Sequence, residues 1–169
     1  MLQRVQTIFM AFATAAMVAF LFLPIWGKSQ DDPAKEQEEY EYVLMSAFQI
    51  EYTLRSDTGK EQQVLGTQST LPLSGGAIGA ALIMIFSISQ FKNRLTQMKL
   101  NALFSLFAVG TLLGSYFYIT KANALFDPVV QGNFLVGFFL PIVAMFNNFI
   151  ANRFIRRDEK LVRSADRIR

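Results

Sequence analysis

The chain has 169 residues, of which 52% are apolar and 17% charged; its formal net charge is +3, and it contains neither cysteine nor histidine. These absences exclude disulfides, thiolate chemistry, the commonest general base and the commonest neutral metal ligand. We therefore predict no enzyme activity, no catalytic residue, no metal site and no cofactor. We attribute the positive net charge to the orientation of a membrane protein, and we expect no nucleic-acid partner.

Four stretches without a charged residue divide the chain, and each has the length of a membrane span. They cover residues 5–25, 71–91, 100–120 and 129–152. About 20 helical residues cross a hydrocarbon core of roughly 30 Å. We therefore predict an all-α membrane fold, with residues 1–169 forming one domain built on a four-helix transmembrane bundle.

The charges are divided unequally between the two sides that four spans create. The side with the N-terminus, the loop 92–99 and the tail 153–169 carries eleven basic and three acidic residues. The other side carries five basic and ten acidic residues. Because Lys and Arg accumulate in short cytoplasmic segments, both termini are predicted to be cytoplasmic and the loop 26–70 external.

The first external loop contains a predicted β-hairpin. Apolar and polar residues alternate from residue 48 to 55, which is typical of a half-buried strand. A turn sequence follows at residues 56–59, and residues 62–67 can form the partner strand. An isolated hairpin is marginally stable, so its apolar face is expected to lie on the outer ends of the helices. The acidic run at residues 36–41 is expected to be solvated, with weak binding of a divalent cation as the alternative.

Glycines spaced four residues apart in two spans are predicted to be helix-packing positions. They are Gly75 and Gly79 in the second span, and Gly110 and Gly114 in the third. Residues at this spacing share a helix face, and glycine allows a neighbouring backbone to approach closely. Packing inside the bundle is the favoured interpretation, and a homodimer contact is the alternative.

The fourth span carries a proline and three asparagines. Pro141 removes one intrahelical hydrogen bond and frees the carbonyl of Gly137, which predicts a kink. Asn147, Asn148 and Asn152 lie towards the cytoplasmic end of this span. We expect headgroups or neighbouring helices to satisfy their amides, and a polar ligand site is the alternative.

The tail, residues 153–169, is predicted to be a basic amphipathic helix that can continue span four. Apolar residues recur in it every seven positions, and basic residues cover much of the remainder. The pattern favours docking on an anionic lipid surface, with a protein partner as the alternative. The predicted docking residues are Arg153, Arg156, Arg157, Lys160, Arg163, Arg167, Phe154, Leu161 and Ile168.

The two ends of the chain resemble a known family. They read MLQRVQT at residues 1–7 and NRFIRRDEKLVRSADRIR at residues 152–169. The chain is similar here to a domain-of-unknown-function family of small four-span inner-membrane proteins from Bacteroidota-type bacteria. The resemblance implies a multi-pass protein of a bacterial inner membrane, and it carries no assigned activity or functional residue.

Two functions are therefore considered from the sequence. The favoured hypothesis is a non-enzymatic accessory or scaffolding subunit of a larger inner-membrane complex, in contact with other membrane subunits and with membrane lipids. The alternative is a carrier or sensor of an apolar ligand, a lipid or a quinone, bound around the Pro141 kink. The aromatic residues available for such binding are Phe134, Phe138, Phe139, Phe146 and Phe149.

Overall fold

Four helices and five strands make up the part of the chain that the computed structural model describes, namely residues 2–31, 39–56, 62–91, 93–124 and 132–166. In chain order they are α1 (Leu2–Phe22), β1 (Trp26–Asp31), β2 (Glu39–Met45), β3 (Gln49–Ser56), β4 (Gln62–Ser69), α2 (Leu71–Ser89), α3 (Arg94–Ala124), β5 (Asn133–Phe134) and α4 (Val136–Asp166). All four helices are long and apolar enough to cross a membrane. The prediction of four such helices in a mostly helical chain is confirmed.

The helices form an antiparallel bundle in which each packs against two others. α1 contacts α2 and α4, and α3 completes the ring by contacting the same two helices. The buried residues of α1 recur at spacings of three and four, at Met10, Ala13, Met17 and Phe20. This spacing keeps one face of each helix towards its neighbours, as in other antiparallel bundles.

A five-stranded antiparallel sheet lies at one end of the bundle and corrects the prediction of a simple hairpin. The strand order is β4-β3-β2-β1-β5. The predicted hairpin corresponds to β3 and β4, with Gln49 opposite Ser69, and most of its turn lies outside the described residues. Residues 26–31 were assigned only to the external loop and residues 36–41 to a solvated acidic run. The structure has β1 and β2 in this part of the chain, and they pair with Trp26 opposite Met45.

The fourth helix also begins later than predicted. Residues 129–131 lie outside the described part, and Asn133–Phe134 form β5, which pairs with β1. Phe134 thus belongs to the sheet, where its ring lies 4.5 Å from that of Phe138. α4 then continues without interruption to Asp166, so the described tail is an extension of the bundle helix.

Backbone hydrogen bonds join the sheet directly to the helices. Ile25, between α1 and β1, donates to Met45 O at 2.8 Å and accepts from Leu135 N at 3.0 Å. Thr70 N, just before α2, donates to Phe48 O at 2.9 Å. We call this end of the bundle the sheet end. The opposite end, where α1 and α3 begin and α4 finishes, is the tail end.

Candidate functional site

An asparagine of α3 is the centre of a buried polar network near the tail end. Asn101 has no exposed surface. Its Oδ1 accepts a hydrogen bond from Ser87 Oγ of α2 at 2.6 Å, and its Nδ2 donates to Asn152 Oδ1 of α4 at 2.9 Å. Its backbone carbonyl accepts from Asn148 Nδ2 at 2.9 Å. One side chain therefore joins three helices through groups that would be costly to bury unpaired.

Gln97, one turn earlier on α3, extends this network to α1. Its Nε2 donates to Ser87 O at 3.3 Å and lies 3.4 Å from Met10 Sδ. Gln97 Oε1 and Asn148 Oδ1 are buried acceptors without a hydrogen-bond partner among the described residues. Buried waters commonly satisfy such oxygens. The asparagines of span four are thus bound mainly by a neighbouring helix, while Asn147 donates to Val143 O within its own helix.

The network borders a basic cavity on the outer side of α4. The cavity has a volume of about 400 Å³. Its described lining consists of Phe149, Asn152, Arg153, Arg156, Arg157 and Lys160. These positions recur at spacings of three and four, which places an aromatic ring, an amide and four cations on one helical face. Four of the predicted docking residues are brought together here.

Contacts with α1 and α3 hold the first turns of the tail against the bundle. The ring of Phe154 stacks on that of Phe9 in α1, with centroids 5.9 Å apart. Arg94, at the start of α3, forms an ion pair of 2.8 Å with Asp158 and a longer one of 3.9 Å with Glu159. The tail therefore leaves the apolar span as a fixed continuation of α4.

The apolar residues that were predicted to dock the tail do not all share one environment. Phe154 lies towards the bundle, because its ring stacks on that of Phe9 in α1. Leu161 is 53% exposed and keeps an outward position. Arg163 lies in the last turns of α4, and the positions of Arg167 and Ile168 lie outside the described residues.

Two of the predicted packing glycines lie where α2 meets α3. A Cβ added at Gly79 would lie 2.9 Å from Cε1 of Phe107, and one added at Gly114 would lie 2.7 Å from Cδ2 of Leu73. Both distances are shorter than real Cβ contacts, so larger side chains would force a neighbour to move. Glycine at these positions leaves room for the side chains of Phe107 and Leu73 between the two helices.

The other two glycines have no such neighbour within the chain. A Cβ at Gly75 or Gly110 would meet no atom within 4 Å, and both residues are exposed. Four residues advance a helix by about 400°, so the second glycine of each pair is rotated by about 40° from the first. This offset directs one glycine of each pair outward. Gly110 lies in a surface groove of about 340 Å³ whose described lining is Pro72, Gly76, Leu106, Phe107, Gly110 and Thr111.

Pro141 and the aromatic residues of α4 have different surroundings. Pro141 is buried in the second turn of α4, and the helix continues through it. Phe139, Phe146 and Phe149 are 50%, 64% and 68% exposed. These three rings therefore belong to the outer surface of the bundle.

At the sheet end, a lysine of β1 is bonded to the end of α3. Lys28 is only 3% exposed, and its Nζ donates to Asn123 Oδ1 at 3.0 Å. In β3, burial raises the pKa of the Tyr52 phenol above its ordinary value of 10.0. Among the described residues, no cluster of three or more acidic groups could hold a metal ion.

The fold and its two ends define a class of small protein: four antiparallel helices of membrane-spanning length, closed at one end by a five-stranded sheet. The chain matches the family described as domain of unknown function DUF4293 over residues 2–168, and it belongs to that family. The predicted membership of a family of unknown function is thus confirmed. No match to the chain was found among curated proteins.

Proposed function

We propose that the chain is an integral protein of a bacterial inner membrane and that its four helices cross the bilayer. The outer surface of the helices supports this proposal, because large apolar side chains remain exposed along it. Phe22 is 78% exposed, Leu106 66% and Phe146 64%. An apolar surface of this extent is unfavourable in water, whereas acyl chains cover it at no such cost.

The charge distribution supports an orientation with both termini in the cytoplasm. The basic side of the sequence includes the tail end, where Arg153, Arg156, Arg157 and Lys160 line the cavity. The acidic side includes the sheet end. Positively charged segments remain in the cytoplasm, so the sheet would lie outside it.

Cysteine labelling tests this orientation, because the chain has no cysteine of its own. Ser69 in β4 and Ser164 in α4 are exposed, and Ser→Cys is a small change at either. In spheroplasts, Ser69→Cys should react with an impermeant maleimide, and Ser164→Cys should react only after lysis. The opposite labelling would refute the orientation, and recovery of the protein in the soluble fraction would refute membrane insertion.

We further propose that the protein acts as a non-enzymatic accessory or scaffolding subunit. The groove between α2 and α3 carries this proposal, because Gly110 lines it and a Cβ at this position would meet no atom within 4 Å. An outward glycine contributes nothing to packing inside the bundle and costs helix stability relative to other residues. A helix of another subunit could approach closely at such a position.

A single substitution separates this role from the stability of the bundle. Gly110→Leu should fill the groove and remove a co-purifying membrane subunit in native detergent, while the thermal stability of the bundle remains unchanged or rises. Leu113→Phe is a matched control, because Leu113 is also exposed on α3 but lies outside the described lining of the groove. A strictly monomeric protein with no partner affected by Gly110→Leu would refute the subunit role.

A further inference from the structure

The basic cavity of α4 combines two chemically different surfaces. Phe149 is 68% exposed and supplies an apolar surface at one end. Asn152 and the four cations supply a polar surface that continues to Lys160. From Phe149 to Lys160 the helix rises about 16 Å, at 1.5 Å per residue. The cavity therefore suits a ligand with an apolar part and an anionic part.

The cations of the cavity differ from Arg94, the nearby arginine that has carboxylate partners. Arg94 is held by Asp158 and Glu159. No ion pair involves Arg153, Arg156 or the other two cations of the cavity within the described part of the chain. Like charges on adjacent turns repel one another, and a bound anion would relieve that repulsion. Guanidinium groups also match the geometry of phosphate oxygens through paired hydrogen bonds.

Asn152 adds a directed donor to this cavity. Its Oδ1 accepts from Asn101 Nδ2 at 2.9 Å, which fixes the orientation of the amide. The Nδ2 group of Asn152 is a donor only, and Asn152 is one of the residues that line the cavity. Asn152 can therefore offer a neutral donor to an anion held by the four cations.

We propose that this cavity binds the phosphate headgroup of an anionic glycerophospholipid. The proposal rests on the proposed membrane insertion. In that setting the apolar span ends near Phe149, so this ring lies beside the acyl chains and the cations lie at headgroup level. A free phosphate offers the same anionic oxygens but has no apolar part to contact Phe149. An acidic protein segment would likewise leave the apolar end of the cavity without a matched group.

Native mass spectrometry of the full-length protein in neutral detergent tests the site, with phosphatidylglycerol and phosphatidylcholine added in equal amounts. Phosphatidylglycerol adducts should predominate for the wild-type protein. Arg156→Gln should lower the ratio of the two adducts about fivefold, the effect expected when one basic residue loses its interaction with an anionic headgroup. Lys99→Gln, which removes an exposed charge at the same end of the bundle, should leave the ratio unchanged.

A second pair of variants tests the directed donor. Asn152→Asp keeps an oxygen for Asn101 but replaces the amide donor with an anionic oxygen in the cavity, so it should abolish the preference for phosphatidylglycerol. Asn147→Asp introduces the same charge outside the described lining of the cavity and should preserve the preference. A retained preference in Asn152→Asp would contradict the proposed arrangement.

The remaining outcomes separate the possible sources of the anion. Equal binding of both lipids by the wild-type protein, or an equal loss in Arg156→Gln and Lys99→Gln, would overturn a specific lipid site. Stabilisation by inorganic phosphate alone, lost in Arg156→Gln, would identify a free anion and refute the lipid. Loss of an acidic protein subunit in Arg156→Gln, with no lipid preference, would identify a protein site. A protein absent from the membrane fraction would instead refute membrane insertion itself.

Discussion

The crossing of α4 over the end of α1 makes Gly137 highly sensitive to one added methyl group. Gly137 N donates to Pro24 O at 2.9 Å. A Cβ at Gly137 would lie 2.5 Å from that oxygen and 2.8 Å from Leu23 O. Both oxygens belong to the backbone, so no side-chain rotation can relieve the contact. Gly137→Ala must therefore move α4 away from the end of α1.

The cost of this movement follows from the distances. The contact with Pro24 O must lengthen by about 0.9 Å to reach an ordinary 3.4 Å, and this carries the hydrogen bond of Gly137 beyond the roughly 3.2 Å usual for such bonds. Overpacking costs about 1–3 kcal/mol and a lost hydrogen bond about 1 kcal/mol. Removing a helical glycine returns about 0.5–1 kcal/mol. The expected net destabilisation is about 2 kcal/mol, or about 4–8 °C in Tm for a chain of this size.

Thermal unfolding in one detergent can measure this effect through Trp26. It is the single tryptophan of the chain, it is 2% exposed, and it lies in β1 close to the crossing. Gly110→Ala is the matched control, since a Cβ there would meet no atom within 4 Å and the better helix former should raise Tm slightly. Equal Tm values for Gly137→Ala and Gly110→Ala would refute the steric argument.

Three further substitutions test the contacts that hold the helices together. Asn101→Leu should lower Tm, because each interhelical hydrogen bond lost in a membrane protein costs about 0.6 kcal/mol on average; Asn147→Leu, which affects a bond within one helix, should change it little. Gly114→Leu should cost about 1–3 kcal/mol through overpacking of α2 against α3, and an unchanged Tm would show that this contact is loose. Arg94→Gln should increase hydrogen exchange in α4 beyond Asp158, and equal exchange in both proteins would show that the ion pair does not hold the tail.

The helices could be predicted from the sequence because their signal is local. A charge-free apolar stretch of sufficient length indicates a span whatever its neighbours are. The limits of the helices were harder to predict than their existence. α3 begins at Arg94, six residues before the predicted span, directly after Asn93, whose Oδ1 accepts a hydrogen bond from Thr96 N at 3.2 Å and caps the helix.

The sheet was only partly predictable for the same reason. β3 alternates apolar and polar residues and could be recognised alone. β1 has the sequence WGKSQD, which shows no such alternation, and its strand conformation depends on pairing with β2 and β5. Glu39 and Glu41 were expected in a solvated run, but the strand they share with Val43 and Met45 pairs with β1 and β3.

Only part of the buried polar network was predicted from the sequence. Asn148 and Asn152 were noticed because amides are unusual in an apolar span. Gln97 and Asn101 have the same four-residue spacing, and this correspondence was the available signal for a partner on α3. Ser87 could not be assigned to the network from the sequence. Which residue of α2 lies beside Asn101 of α3 depends on how the two helices pack along their axes, and no local sequence pattern records this.

The backbone hydrogen bonds of Ile25, which join the sheet to the helices, also affect how the molecule can deform. Ile25 bonds on one side to Met45 and on the other to Leu135, so the end of α1 and the approach to α4 are fixed in one hydrogen-bonded layer. Sliding α4 along α1 would break these bonds together with that of Gly137. At the tail end, the described hydrogen bonds and ion pairs between helices each use at least one side chain, and such contacts can exchange partners without unfolding a strand. We therefore expect the bundle to deform more easily at the tail end, where Asn101 and the cations of α4 lie, than at the sheet end.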